Sequence, residues 1–329
     1  MRIAKIAGLT VAAIILLLLT AFGALWIFNP FAPAIIVSDP EPHGYRIQSD
    51  DFIANFYPAE HSDKAPAILL LGGSEGGMGP SVTQMALALR QENYAVMTLS
   101  YFGGPEQIDI LEHVPLEGFD LAIEWLKSRS DVDKDRLGVM GVSKGAEAAL
   151  IVATRHPELR AVIAGMPSSV VWQGINPNLL KQIFIPPDGS WSLGGEVVTY
   201  LPYIDEYVSG PMPFELYAKS LERLPDHPDA VIPVETIDAT VLLICGEADT
   251  LWPSCDMARQ IEERAEERQG PQINLLAFEA AGHAGFGIPL DPDHSKFDQL
   301  ASIGGTAEGN NAARRDGWEA LLLYLETAF

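Results

Sequence analysis

Ser143, Asp249 and His283 are residues of the three types that together can cut an acyl bond, and each follows a predicted strand. Ser143 is the centre of Gly141-Val142-Ser143-Lys144-Gly145, between the apolar run 137–140 and a helix-like stretch over 146–155. A serine hydroxyl is a weak nucleophile until a neighbouring base takes its proton. The two glycines permit a tight strand-to-helix turn, which lifts the hydroxyl out of the sheet at the positive end of a helix. By itself the pentapeptide also occurs in ordinary strand-to-helix turns. Asp249 ends Gly246-Glu247-Ala248-Asp249, just past the apolar run 240–244, and His283 ends Ala281-Gly282-His283, just past 273–278. Taken singly, Asp249 could cap a turn and His283 is one of seven histidines. Together they fall at the carboxyl ends of strands, where open α/β sheets gather reacting groups, and they supply a base and the carboxylate that orients it.

A fourth segment fits the same chemistry. Gly72-Gly73-Ser74-Glu75-Gly76-Gly77 follows the apolar run 67–71. Glycines let a backbone come close to a reacting carbonyl, so the N–H groups of Gly73 and Ser74 are expected to join that of Lys144 in an oxyanion hole. Phosphate binding is excluded for this loop, which lacks both the Gly-Lys-Ser/Thr ending and the G-x-G-x-x-G spacing. The chain order Ser, Asp, His is the one that α/β-hydrolases use.

The elements that must position these residues are legible in outline. Residues 45–57 hold two short β-like runs around Ser49-Asp50-Asp51, a predicted hairpin. Strands are expected at 67–71, 95–99, 137–140, 161–164, 240–244 and 273–278, separated by helical patterns at 82–90, 115–129, 146–155, 254–267 and 311–327. Continuous apolar strands alternating with amphipathic helices predict a mostly parallel central sheet with helices on both faces. The alternation breaks over about 168–235, a Pro-, Gly- and aromatic-rich stretch with a helical pattern at 213–223, expected to be an inserted lid.

At 329 residues and 48% hydrophobic content the chain can bury a large core. Much apolar character sits at the start: 6–28 carries no charge, Arg2 and Lys5 precede it, and the next charged residue is Asp39. Such a run can cross a bilayer, and basic residues on its amino side keep that side in the cytoplasm. Residues 1–28 are therefore expected to be a retained anchor, 29–44 a proline-rich linker, and 45–329 a catalytic domain outside the cytoplasm. The alternative is a signal peptide cut after Ala21-Phe22-Gly23, which leaves a secreted protein; the length of the apolar run favours retention. A net charge of −23 repels nucleic acid and anionic membrane surfaces. Two cysteines make neither a disulfide framework nor a metal site. Cys245, at a strand end, is expected to be a packing residue, although export would permit a bond to Cys255.

Several longer motifs are more specific: Leu71-Gly72-Gly73-Ser74-Glu75-Gly76-Gly77, Ser100-Tyr101-Phe102-Gly103, Pro115-Leu116-Glu117, and Val139 through Glu147 around the serine. Pro167-Ser168-Ser169-Val170-Val171-Trp172-Gln173-Gly174 and Leu251-Trp252-Pro253-Ser254 complete the set. Through these the chain, from about residue 67 to its end, resembles the carboxyl-terminal α/β-hydrolase domain of acyl-CoA thioester hydrolases and bile acid-CoA:amino acid N-acyltransferases. The resemblance implies an α/β-hydrolase fold, a triad at Ser143, Asp249 and His283, and no metal or organic cofactor. It implies a serine hydrolase that cleaves small-molecule acyl thioesters through an acyl-enzyme. Trp172, the segment to about 207, and Trp252 are expected at an acyl pocket, with packing of the lid as the other use of aromatic residues there. The amino-acid transferases of that family use cysteine where Ser143 stands, which favours hydrolysis here. Animal members carry an amino-terminal β-sandwich, for which 29–66 is too short, and export would separate the enzyme from cytoplasmic CoA. The alternatives are a carboxylesterase or lipase acting on exported esters, an acyltransferase, and a catalytically silent lipid-binding relative.

Overall fold

The computed structural model describes residues 2–28, 35–49, 51–62, 64–205 and 213–329. Part of the expected linker (29–34), Asp50 of the predicted hairpin turn and part of the expected lid (206–212) lie outside the described residues. In chain order the elements are α1 (Arg2–Phe28), β1 (Tyr45–Gln48), β2 (Ile53–Tyr57), β3 (Ala65–Leu71), α2 (Pro80–Gln91), β4 (Ala95–Ser100), β5 (Val114–Pro115) and α3 (Glu117–Ser128). There follow β6 (Val132–Val142), α4 (Lys144–Ala153), β7 (Ala161–Gly165), α5 (Leu179–Phe184), β8 (Trp191–Leu193), β9 (Glu196–Val197) and α6 (Phe214–Leu221). The chain closes with β10 (Thr240–Gly246), α7 (Ser254–Glu267), β11 (Ile273–Phe278) and α8 (Ala307–Ala328).

Eight strands form one sheet in the order β1-β2-β4-β3-β6-β7-β10-β11. The β1–β2 and β2–β4 pairs are antiparallel and every other pair is parallel. Strand periodicity divides the core. Leu69 and Leu71 of β3 face a layer made by α3, α4 and α7, while Ile68 and Leu70 face α2 and α8. Each such fully buried aliphatic side chain contributes roughly 1.5–3 kcal/mol. Helix α3 shows why its sequence docks: Phe119, Ala122, Ile123 and Leu126 fall on one face and are all buried. At the other face, α2 opens with Pro80, whose missing N–H costs nothing in a first turn.

This is an α/β-hydrolase-type sheet with helices on both faces, as the patterning predicts. Between β7 and β10 the described residues build a small annex. β8 pairs with β5 and β9, and single bridges join Trp172 to Leu201 and Val170 to Val231. Helix α1 is long and apolar enough over Gly8–Phe28 to cross a membrane, and none of that span is buried against the rest of the chain.

One expectation is corrected. Cys245 is not merely a packing residue: it is disulfide-bonded to Cys255 in the first turn of α7, with Cα atoms 5.1 Å apart. The turn after β10 doubles back on itself, a proximity that a ten-residue spacing does not reveal. The bond closes the loop that carries Asp249 at its base.

Candidate active site

Ser143 stands between the last residue of β6 and the first of α4, with φ 56° and ψ −122°. A non-glycine residue held there is strained, by roughly 1–3 kcal/mol. The surroundings hold it by leaving no space. A Cβ on Gly141 would collide with the carbonyl of Gly145, and one on Gly145 would collide with the carbonyls of Leu71 and Gly72. The Ser143 N–H donates to the Gly165 carbonyl at 2.9 Å, which ties the turn to β7.

The structure brings Ser143, His283 and Asp249 into one line of hydrogen bonds. Ser143 Oγ lies 2.9 Å from His283 Nε2, and His283 Nδ1 lies 2.8 Å from Asp249 Oδ2. With Nδ1–H donating to the carboxylate, Nε2 is left as the acceptor for the serine proton. Asp249 is itself fixed: Oδ1 accepts from the N–H of Leu251 at 2.8 Å and of Trp252 at 3.3 Å, and Oδ2 also accepts from Ser254 Oγ at 2.7 Å. Four donors around one carboxylate leave it one orientation. The histidine loop is pinned as well. The His283 N–H donates to the Ile303 carbonyl at 3.0 Å, and the wholly buried Asn310 accepts from the Gly282 N–H at 2.9 Å.

Gly73 comes against the serine, since a Cβ on it would stand 3.2 Å from Ser143 Cβ. The loop is oriented from behind by Tyr101, whose hydroxyl lies 2.5 Å from the Gly72 carbonyl oxygen and 2.6 Å from that of Gly73. In a trans peptide the N–H points opposite to the C=O. Holding these two carbonyls therefore turns the N–H groups of Gly73 and Ser74 to the other side. Burial, with Glu75 and Glu147 nearby, raises the Tyr101 hydroxyl well above its ordinary pKa, so it stays a donor. The Lys144 N–H, at the first position of α4, has no carbonyl within its own helix to bond.

The Lys144 side chain does something else. It is buried, and Nζ lies 2.6 Å from Glu147 Oε2 and 2.9 Å from Ser190 Oγ. Glu147 Oε1 accepts from Trp191 Nε1 at 2.7 Å and from the Trp172 N–H at 3.1 Å. Burial pushes the lysine down and the glutamate up, and each opposes the shift in the other.

A cleft of about 360 Å³ opens over Ser143 and His283, lined also by Ser74, Glu75, Met85, Leu251, Phe286 and Arg314. Trp172 and Trp252, expected at a pocket, are core residues instead. Trp172 is fully buried, stacked on Tyr203 and edge-on to Tyr217, and Trp252 fills the space between Tyr217 and His283. Among the described residues, none of 168–235 lines the cleft, and Tyr207 lies outside them. A larger groove of about 630 Å³ runs past Thr240 and Gln272 at the amino ends of the strands, away from the paired serine and histidine.

Sequence reasoning missed Ser254, Tyr101, Asn310 and Arg314. The first two sit inside motifs already visible, Leu251-Trp252-Pro253-Ser254 and Ser100-Tyr101-Phe102-Gly103, but nothing local says what they touch. Among the described residues no group of three or more His, Cys, Asp or Glu is placed to hold a metal ion. Chemically, the arrangement can take a proton from Ser143, hold the resulting imidazolium, and offer backbone N–H groups to a developing oxyanion.

Comparison with known proteins bears on the family and the fold. The chain is 26% identical over 263 residues to mouse (Mus musculus) acyl-coenzyme A thioesterase 5, and 26% identical over 265 residues to mouse acyl-coenzyme A amino acid N-acyltransferase 1. Each match covers 78% of this chain and 58% of the relative, so the chain spans little more than half the length of the relatives it matches. Among solved structures, a puromycin-hydrolyzing peptidase from Mycobacterium tuberculosis superposes with a TM-score of 0.55 at 16% identity, over 88% of this chain and 40% of that one. A dienelactone hydrolase-like promiscuous phosphotriesterase from metagenomic libraries superposes with a TM-score of 0.53 at 13% identity, over 87% of this chain and 98% of that one. These two likenesses establish the fold. Residues 114–329 match the family described as BAAT / acyl-CoA thioester hydrolase C terminal, and the chain belongs to that family.

Proposed function

We propose that this protein is a serine hydrolase of acyl thioesters, held by α1 in a membrane with its catalytic domain outside the cytoplasm. The observation that carries the reading is the unbroken line Ser143 Oγ, His283 Nε2, His283 Nδ1, Asp249 Oδ2 at a strained strand-to-helix turn. Ser143 attacks the acyl carbonyl while His283 takes its proton, and the carbonyl oxygen becomes an oxyanion facing the N–H groups of Gly73, Ser74 and Lys144. The thiolate leaves with the proton from His283. Water, deprotonated by the same histidine, then releases the acid. Asp249 keeps the imidazole in its useful tautomer throughout. The acyl-CoA thioesterase and N-acyltransferase names of the relatives agree on an acyl thioester as the first reactant. A serine acyl-enzyme in an open cleft favours water as the second.

The test is release of free thiol from acyl-CoA substrates, from acetyl to palmitoyl, by the full chain in detergent micelles, beside alcohol release from the matched esters. Ser143-dependent thiol release faster than ester cleavage is expected. Ester cleavage alone would move the reading to a carboxylesterase, and conjugates formed with added glycine or taurine would move it to an acyltransferase.

Tyr101 supplies a second prediction. Tyr101→Phe removes the hydroxyl that sets the Gly73 and Ser74 N–H groups while the ring stays packed on Phe119 and Trp191. Loss of one oxyanion donor costs roughly 100- to 1,000-fold, and partial misalignment of two should lower kcat by about tenfold with KM little changed. A rise in KM at constant kcat would place Tyr101 outside this role.

Retention of α1 is supported by its docking. Asn178 Nδ2 donates to the carbonyls of Leu25 and Trp26 at the end of α1, at 3.3 and 3.1 Å, while its Oδ1 caps α5 through the Lys181 N–H. The Phe184 ring of α5 lies 6.2 Å from Phe22 and 6.4 Å from Trp26. Leu179, Ile183, Phe184 and Ile185 are all exposed beside that helix end, where a bilayer interface would cover them. The Cys245–Cys255 bond suits an oxidising compartment. The full-length chain should therefore stay in the membrane pellet through an alkaline carbonate wash. Release as a species beginning near Ala24 would mean cleavage and end the anchor reading.

A further inference from the structure

Arg314 is an anomaly in a chain with 44 acidic and 21 basic residues. It projects from α8 into the cleft above Ser143 and His283, and it is the one permanently cationic side chain among the described residues that line it. Nε donates to the Ala284 carbonyl at 2.7 Å and Nη1 to the Ile288 carbonyl at 3.2 Å. Nη2 has no acceptor among the described residues, and no carboxylate there pairs with the guanidinium, Glu75 of the same cleft included. Burial alone, with no anion opposing it, pushes Arg314 down to about 10. Two carbonyl dipoles orient this cation without neutralising it. Arg314 is half-buried, and a partly desolvated charge without a counter-charge is costly, so such sites are normally paired.

We propose that the free Nη2 edge of Arg314 is an anion subsite, and that it takes a carboxylate borne by the acyl group of the substrate. This rests on the thioesterase reading above and names the acyl class. The phosphates of coenzyme A are the other anion such a substrate offers, but they are too far away. About thirteen bonds separate the thioester sulfur from the nearest phosphorus, about 15 Å at the ~1.2 Å advance per bond of an extended chain. A cleft of 360 Å³ is on the order of 10 Å across if roughly spherical, and it holds both the serine and the arginine. The anion is then a few bonds from the reacting carbonyl, as in a half-thioester of a short dicarboxylic acid. Guanidinium geometry suits a carboxylate, and Nε and Nη1, already engaged, aim the remaining edge.

The test compares glutaryl-CoA with 5-methylhexanoyl-CoA, in which an isopropyl group replaces the carboxylate, using the full chain and Arg314→Met. In the native chain kcat/KM should favour glutaryl. Arg314→Met should lower kcat/KM for glutaryl, relative to 5-methylhexanoyl, by roughly 10- to 100-fold, the loss expected for one charge-assisted hydrogen bond. Arg314→Lys should recover part of the difference. Glutaryl-pantetheine, which lacks the nucleotide and its phosphates, should show the same ratio between native and variant chains. An equal loss on both acyl groups would mean that Arg314 only braces the 284–288 loop, and would overturn the proposal. A preference that vanishes with the pantetheine substrate would assign the anion to coenzyme A and overturn it as well. If the native chain released thiol from other acyl-CoAs but from neither of these, the proposal would be overturned; release from none of the acetyl-to-palmitoyl series would end the thioesterase reading itself.

Discussion

Ser143→Ala is expected to lower kcat/KM for thiol release by at least about ten-thousandfold, the scale on which serine triads lose activity when the nucleophile goes. The remaining rate would come from backbone N–H groups still aimed at the carbonyl, acting on water. Labelling by a fluorophosphonate should disappear altogether, because among the described residues that line the cleft no other hydroxyl has a base within hydrogen-bond reach. His283→Ala should cost about as much, and the double variant hardly more, since the two act as one unit. Asp249→Asn should also be severe: an amide cannot receive Nδ1–H as a carboxylate does, and the imidazole would settle in the wrong tautomer. Stability distinguishes these losses from unfolding. Ser143→Ala keeps the φ of 56°, so Tm should hardly move, whereas Ser143→Gly relieves the strain and should raise Tm while abolishing activity. Ser143→Ala enzyme that retained its thiol release would sink the mechanism.

The three residues of that prediction were legible because each depends on local pattern. A continuous apolar strand, a glycine-bounded turn and a helix can be read from a few residues around 143, and the loops after 244 and 278 carry the same punctuation. Helix α3 was expected over 115–129 and spans Glu117–Ser128, since its buried face repeats at helical spacing. Strand β6 begins at Val132 rather than 137, because Asp133–Arg136 continue the extended backbone while pointing charges outward, which an apolar count cannot see. Aromatic richness at Trp172 and Trp252 says that something large is covered; it does not say whether by substrate or by Tyr203 and Tyr217. The disulfide, the Tyr101 clamp, the Asn310 tie and Arg314 are all meetings of residues far apart in sequence or brought round by a turn. Their chemistry is created by tertiary contact, so no spacing rule announces it.

The second large effect belongs to Glu147. Its carboxylate lies at 0% exposure and accepts from Lys144 Nζ, Trp191 Nε1 and the Trp172 N–H, drawing together α4, β8 and the chain that leaves β7. Glu147→Leu fits the volume but strands a buried ammonium and two buried N–H donors, and should cost about 3–5 kcal/mol by the usual toll of breaking one side of a buried pair. Lys144→Met with Glu147→Leu removes both charges, and it should recover a good part of that loss while the two tryptophan donors remain unsatisfied. The sign of this recovery separates an ion pair from a mere space-filler, and denaturant midpoints with constant m-values measure it. A single Glu147→Leu change costing under about 1 kcal/mol would show that the pair is neutral or solvated. Activity should fall with stability for a geometric reason. Lys144 is bonded directly to Ser143, and its backbone N–H is one of the proposed oxyanion donors. A side chain that anchors the first turn of α4 from within the core also fixes that N–H and the strained serine beside it. Glu147→Leu should accordingly lower kcat more than it raises KM, even well below its unfolding midpoint.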